Sequence, residues 1–142
     1  MSKRVVLDTA VIVSAFRSRR GASFALLRAL ARGRFIMLAT PPLFLEYEDV
    51  LKRPEQRLIS GLTLGEVDER LEQLAAILEP VEMHMRWRPQ LRDPGDEMVL
   101  EAAINGRADA LVTYNVRDFV GAAPRFGVRL ARPLDLLLET TS

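Results

Sequence analysis

Apolar residues follow two different spacings along this chain, and the two spacings alternate. Short unbroken apolar runs are typical of strands buried on both faces, and they predict strands at residues 5–7, 35–39, 110–113 and 128–131, with a shorter, irregular strand at 81–85. Helical spacing predicts helices at residues 11–17, 22–32, 42–53, 63–78, 93–105 and 133–139. Strands that alternate with helices form βαβ units, so the fold class is α/β, with a mainly parallel sheet of four to five strands flanked by helices.

The ends of these segments carry recognisable start and stop signals. Thr9 is placed to cap the first helix, and Pro42 opens the third, because proline suits a first helical turn. Pro54 and Pro80 are expected to end the helices that precede them. Residues 86–90 are predicted to form a loop and residues 114–117 a polar turn.

The composition is that of an ordinary globular protein, with 49% hydrophobic and 27% charged residues among 142. This length suits one domain, which we take as residues 1–142. The absence of cysteine excludes disulfide bonds and thiolate zinc sites. No apolar stretch approaches the roughly 20 residues that span a bilayer, and the first residues lack a signal-peptide pattern. We therefore expect a cytoplasmic protein without membrane segments.

Arginine supplies nearly all of the positive charge, since only Lys3 and Lys52 are lysines among 20 basic residues. Two groups of arginines flank acidic positions: Arg17, Arg19 and Arg20, and Arg86, Arg88 and Arg92. A guanidinium binds phosphate through two hydrogen bonds at once, so these groups suit a nucleic-acid backbone. A general preference for arginine codons explains them equally well.

Two carboxylates occupy positions where a freely solvated charge is not expected. Asp8 directly follows the first apolar run, at the sheet edge where open α/β folds bind ligands, although capping of the next helix would also explain it. Glu46 lies three residues after Leu43 and four before Val50, on the apolar face of its helix. A carboxylate turned inward needs compensation, which either a buried arginine or a metal ion can supply.

Two further segments bring polar groups to this region. Asp93 and Asp96 lie where a helix begins; Asp93 suits the capping position, and Asp96 lies above the buried face, which makes Asp96 the better functional candidate. Asn115 and Asp118 follow the strand predicted at 110–113. Turn geometry alone accounts for both, but they lie at the same sheet edge as Asp8.

These side chains together favour a hard divalent cation. All the candidate ligands are oxygens, and the single histidine, His84, has no metal-ligand spacing, so magnesium or manganese is favoured over zinc. Carboxylates that lie close together repel one another unless a cation is present. A hard cation in such a pocket activates water and orients a phosphate, and phosphodiester hydrolysis is the reaction that best uses these parts.

The chain resembles the PIN-domain ribonucleases, in particular the VapC-like toxins of bacterial and archaeal toxin–antitoxin pairs. The resemblance runs through nearly the whole chain and is carried by four stretches in a fixed order: Val5-Val6-Leu7-Asp8-Thr9, Leu45-Glu46-Tyr47 with its helix, Asp93-Pro94-Gly95-Asp96 with the helix through Ala102-Ala103, and Leu111-Val112-Thr113-Tyr114-Asn115-Val116-Arg117-Asp118-Phe119.

The resemblance implies a three-layer PIN-like fold and magnesium- or manganese-dependent cleavage of RNA. It also implies inhibition by an antitoxin protein bound over the site, and a homodimer. By the same resemblance, the acidic metal-binding core would be Asp8, Glu46 and Asp96, with Asn115 as the fourth member. The supporting residues would be Asp93, Asp118, Thr9 and Thr113.

One departure from the family pattern leaves a second function open. The family usually carries asparagine or serine after Asp-Thr, whereas this chain has Ala10. The loss of a group that orients a ligand or a water typically costs about 10–100-fold in metal affinity or activity. The rival is a catalytically weak PIN-like module that binds RNA or a protein. Two other functions are disfavoured. A phosphoacceptor domain needs a lysine at the end of a late strand, and a dinucleotide-binding domain needs a glycine-rich turn after the first strand; this chain has neither.

Overall fold

The computed structural model, which describes residues 2–84 and 90–140, contains one five-stranded sheet in the order β3-β2-β1-β4-β5. Every neighbouring pair of strands is parallel. The strands are β1 (Arg4–Leu7), β2 (Ile36–Ala39), β3 (Glu79–Pro80), β4 (Ala110–Val112) and β5 (Arg129–Ala131). This architecture confirms the predicted α/β class and the mainly parallel sheet.

Eight α-helices connect or follow these strands in the described residues: α1 (Thr9–Arg17), α2 (Ala22–Ala31), α3 (Pro41–Leu51), α4 (Pro54–Ser60), α5 (Leu64–Ile77), α6 (Pro94–Asn105), α7 (Val116–Phe119) and α8 (Pro133–Thr140). Helix α2 packs against α1 and α8, and α3 packs against α1 and α6. None of these helices is long and apolar enough to cross a membrane.

Strand β1 is the centre of the sheet and of the core. Val5, Val6 and Leu7 have no exposed surface, and Leu7 lies opposite Val112 of β4. Strands buried on both faces need apolar residues at every position, which explains the unbroken run in the sequence. Because β1 and β4 are parallel neighbours, the residues that follow them meet at one edge of the sheet.

Several predicted boundaries were wrong. Pro54 ends α3 as predicted but also begins α4, which the sequence analysis missed, because proline fits a first helical turn as well as it stops a helix. Thr9 was predicted to cap α1 but is its first residue. Asp8 occupies the capping position, and its side chain accepts no capping hydrogen bond. The predicted turn at 114–117 is partly helical in α7.

The strand predicted at 81–85 lies earlier in the chain. Pairing with β2 involves Glu79 and Pro80, and residues 81–84 form no regular element. Residue 85, most of the loop predicted at 86–90, and Arg86 and Arg88 lie outside the described residues. A single 3-10 turn, Ala123–Phe126, was also missed; it precedes β5.

Candidate active site

Asp8 is held at the carboxyl end of the central strand. Its side chain is 5% exposed and accepts a hydrogen bond of 2.7 Å from the hydroxyl of Thr113, which follows β4. Burial raises the pKa of Asp8 above its usual value, and the hydrogen bonds from the Thr113 hydroxyl and the Thr9 backbone N–H partly offset the rise. Asp118 and Asp93 raise the pKa further. Asp8 is therefore a buried carboxylate in a negative environment.

Helix α3 brings Glu46 towards the same edge. Thr40 caps this helix through a hydrogen bond from the Leu43 N–H, and Tyr47, the neighbour of Glu46, is fully buried. The Tyr47 hydroxyl donates a hydrogen bond to the carbonyl oxygen of Leu7, which joins α3 to the end of β1. Glu46 is half-buried, which agrees with its predicted place on the inward face.

Helix α6 begins beside Glu46 and presents two aspartates. Asp93 caps the helix, since its Oδ1 accepts hydrogen bonds from the N–H groups of Gly95 at 2.7 Å and Asp96 at 3.4 Å. A side chain added at Gly95 would place its Cβ 3.1 Å from Asp93 Oδ1 and 3.7 Å from Glu46 Oε1. The carboxylates of Asp93 and Glu46 therefore both lie close to Gly95, where a side chain would crowd them.

Asp96 is repelled by four neighbouring carboxylates. Burial, followed by repulsion from Asp8, Asp93, Asp118 and Glu97, raises its pKa from 3.8 to about 6. Since Asp93 already caps the helix, capping does not explain Asp96. Asp93 thus caps the helix as predicted, and the role of Asp96 stays a prediction.

Asn115 and Asp118 complete the edge from the β4 side. The Asn115 N–H donates a 2.9 Å hydrogen bond to the Thr113 hydroxyl, which itself donates to Asp8. Asp118 lies one turn away in α7, is exposed, and contributes to the raised pKa values of Asp8 and Asp96. The structure therefore brings together side chains from four segments that are far apart in sequence.

In the part of the chain that the structure describes, these acids form no ion pairs with any lysine, arginine or histidine: Asp8, Glu46, Asp93, Asp96 and Asp118. No ion pair joins an arginine to Glu46 in this part of the chain, although Arg53, whose pKa is raised by its hydrogen bond to Asp49, also lies within electrostatic range of Glu46. An oxygen-rich cluster fits a hard cation, although no three His, Cys, Asp or Glu side chains in the described ranges are arranged to hold one.

Two residues at the edge were not foreseen as part of it. The sequence placed Tyr47 on the apolar stripe but gave no sign that its hydroxyl would reach Leu7. Glu97 is 9% exposed and accepts hydrogen bonds from the N–H groups of Gln90 and Leu91. The position of Glu97 in the first turn of α6, directly after Asp96, was the only feature of the sequence that could have indicated its place at this edge.

Comparisons with known proteins agree with this architecture. A family model described as a PIN domain matches residues 4–117, a span that contains Asp8, Glu46, Asp93, Asp96 and Asn115. No curated protein matches the chain significantly. Among solved structures, a chain in the crystal structure of VapBC2 from Rickettsia felis, bound to a DNA fragment from their promoter, superposes with a TM-score of 0.63 at 14% identity. The alignment covers 91% of this chain and 98% of the other.

At 14% identity, the structural match supports the fold alone. The family model covers well over half of the chain, and it agrees with the α/β fold and its parallel sheet. The protein therefore belongs to the PIN-domain family, a family of nucleases.

Proposed function

We propose that this protein is a metal-dependent endoribonuclease and the toxin of a toxin–antitoxin pair. The observation that carries the proposal is the group of carboxylates at this edge, Asp8, Asp93, Asp96 and Asp118, which lie close enough to repel one another and form no ion pair within the described residues. Structural acids are usually paired, whereas repelling acids at the carboxyl edge of a parallel sheet are typical of a cation-dependent active site.

In this proposal Asp8, Glu46 and Asp96 would hold Mg²⁺ or Mn²⁺, and Asn115 would contribute the fourth polar group. A bound cation of this kind supplies an activated water and a positive charge beside the phosphate. Asp93 and Thr113 act by positioning, because Asp93 fixes the first turn of α6 and the Thr113 hydroxyl fixes Asp8 Oδ2. Thr9 supports Asp8 through its backbone N–H, and Asp118 adds negative charge.

The proton on Asp96 belongs to the same mechanism. With a pKa of about 6, a fraction of Asp96 carries a proton near neutral pH. Cation binding stabilises the ionised form, so that proton leaves as the cation binds.

The biological setting is proposed from two sources. The sequence resembles VapC-like toxins, and the similar structure is part of a VapBC2 complex. On these grounds we propose a cognate antitoxin as protein partner, RNA as substrate, a homodimer as the active assembly, and action in the cytoplasm.

A second candidate is a catalytically weak PIN-like module that binds RNA or a protein. Ala10 favours it, because a half-buried methyl group stands where a small polar side chain is usual in the family. The absence, in the described ranges, of a ready-made three-ligand metal site favours it as well.

The deciding experiment is cleavage of a mixed RNA pool in Mn²⁺, Mg²⁺ and chelator. We expect metal-dependent internal cleavage by the wild type and at least a 100-fold loss in Asp8→Asn. Asp49→Asn is the matched control, because it removes the same charge from an exposed position in α3 that pairs only with Arg53 among the described residues. An inert wild type that still binds RNA would favour the binding module. Equal loss in Asp8→Asn and Asp49→Asn would reject Asp8 as an active-site residue.

A further inference from the structure

A pocket opens beside the carboxylate cluster. It has a volume of about 480 Å³, and its walls include Thr9, Ala10, Arg17, Gln56 and Tyr114. Thr9 follows Asp8 in the chain and Tyr114 precedes Asn115, so the pocket shares two backbone segments with the acidic edge. Its volume falls within the roughly 300–1,000 Å³ of pockets that bind small ligands.

Thr9 lines the pocket but presents no accessible hydroxyl to it. The hydroxyl oxygen of Thr9 is buried and has no hydrogen-bond partner among the described residues. Ala10 contributes only a methyl group to the same wall and leaves space beside it.

One wall carries a fixed aromatic ring. Tyr114 is 40% exposed. Its hydroxyl shares a hydrogen bond with the hydroxyl of Ser23, a fully buried residue of α2. This bond anchors the tip of the side chain while part of the ring stays open to solvent. Nucleobases stack on such rings regardless of their identity, because every base has a π-face.

Arg17 gives the pocket a positive charge. Arg17 lies in the last turn of α1, is exposed, and donates a 3.1 Å hydrogen bond to the neutral side chain of Gln56. In the described part of the chain it forms no ion pair. A guanidinium that keeps its full charge beside a pocket is suited to a phosphate group.

We propose that this pocket binds one unpaired nucleotide of the RNA, next to the phosphodiester that is cut. The base stacks on Tyr114, and the phosphate of the nucleotide contacts Arg17. The proposal rests on the proposed ribonuclease function, since it places the nucleotide next to the acidic edge where cleavage would occur. It adds residues that recognise the substrate and do not contact a metal.

The test measures RNA binding separately from cleavage. The probe is a fluorescein-labelled pool of ten-nucleotide, single-stranded RNAs, with binding followed by anisotropy in an Asp8→Asn background. We expect Tyr114→Ala to weaken binding by about 5- to 100-fold, the range that base stacking on one ring supplies. Tyr114→Phe keeps the ring and should stay within about 3-fold of the parent. Thermal melts establish that each variant is folded.

Arg17 is tested through the salt dependence of the same binding. Arg17→Gln should reduce the slope of log Kd against log salt concentration by about 0.7, the value for one phosphate contact on a single strand. Arg19→Gln is the matched control, because Arg19 lies on a different groove, between α1, α2 and α5. An unchanged slope in Arg17→Gln, or equal changes in both variants, would overturn the phosphate contact.

The results separate this inference from the proposed function. If the wild type cleaves RNA but Tyr114→Ala binds as the parent does, or Tyr114→Phe is as weak as Tyr114→Ala, the nucleotide pocket is rejected and the nuclease stands. If the wild type does not cleave but binding depends on Tyr114 and Arg17, the pocket stands and the nuclease is rejected.

Discussion

The hydroxyl of Thr113 donates a 2.7 Å hydrogen bond to Oδ2 of Asp8, although the two residues are 105 positions apart in the chain. The pairing follows from the register of the sheet, in which Leu7 and Val112 are partners and the next residue of each strand leaves the same edge. Both side chains are buried, so the bond is shielded from water. It is the main contact that offsets the burial of Asp8.

Replacing Thr113 by valine tests this bond. Thr113→Val keeps the shape but leaves Asp8 without its hydroxyl donor, so we expect the free energy of unfolding at pH 7 to fall by about 1–3 kcal/mol. Urea denaturation measures the change. Thr113→Ser retains the hydroxyl and should lose clearly less. Equal losses in the two variants would show that packing, and not the hydrogen bond, is responsible.

The raised pKa of Asp96 predicts how stability depends on pH. The folded protein holds this proton up to about pH 6, whereas the unfolded chain releases it near 3.8, so the folded state binds more protons in between. The contribution of Asp96 to stability is therefore greatest below pH 4, falls as the pH rises to about 6, and is level above that.

The Asp96→Asn variant checks this dependence. It should be more stable than the wild type at pH 7, by about 1 kcal/mol because solvent screens part of the repulsion. It should also lack the wild-type decline in stability between pH 4 and 6. Urea melts across pH 4–8 measure both effects, and an identical decline in the two proteins would contradict the assigned pKa.

Cation binding should raise the melting temperature. At a free Mn²⁺ concentration about 100 times its dissociation constant, mass action adds about 2.7 kcal/mol, or about 5–10 °C for a domain of this size. The rise should disappear in Asp8→Asn and persist in Asp49→Asn. Below pH 6 the rise should shrink, since Asp96 then holds a proton. A rise that is equal in all three proteins would place the cation elsewhere.

The hydroxyl of Tyr47 is expected to fix the position of α3. Tyr47→Phe leaves the buried Leu7 carbonyl without this donor, so we expect a loss of about 1–3 kcal/mol in the free energy of unfolding. Because Glu46 is the preceding residue, the affinity for Mn²⁺ should fall as well. Calorimetric titration with Mn²⁺, at a temperature where both proteins are folded, distinguishes the two effects. An unchanged affinity would limit Tyr47 to a role in stability.

Restoring a polar group after Thr9 should strengthen activity. We expect Ala10→Asn to raise kcat/KM for RNA cleavage by about 10-fold, because an amide can orient a water or a ligand near Asp8. Ala10→Leu has a similar size without the amide and should not gain. If neither variant exceeds the wild type, Ala10 is not the reason for any weakness in catalysis.

The sequence determined what depends on neighbours a few residues apart. Unbroken apolar runs predicted β1, β2, β4 and β5, and helical spacing predicted six of the helices, because both patterns record local burial. The helix start at Asp93 was equally clear, since its capping bonds reach only to Gly95 and Asp96. Helix α4 was missed because a proline that ends one helix can also begin another.

Which of these segments meet depends on how the sheet and helices pack together. Strand β3 has two exposed residues at the sheet edge, too few for any periodicity, so its position depends on pairing with β2. The bond between Thr113 and Asp8, and that between Tyr47 and Leu7, join segments distant in sequence, and no local pattern encodes them. The pKa of Asp96 has the same origin, because repulsion between carboxylates exists only where the packed sheet and helices bring them within range of one another.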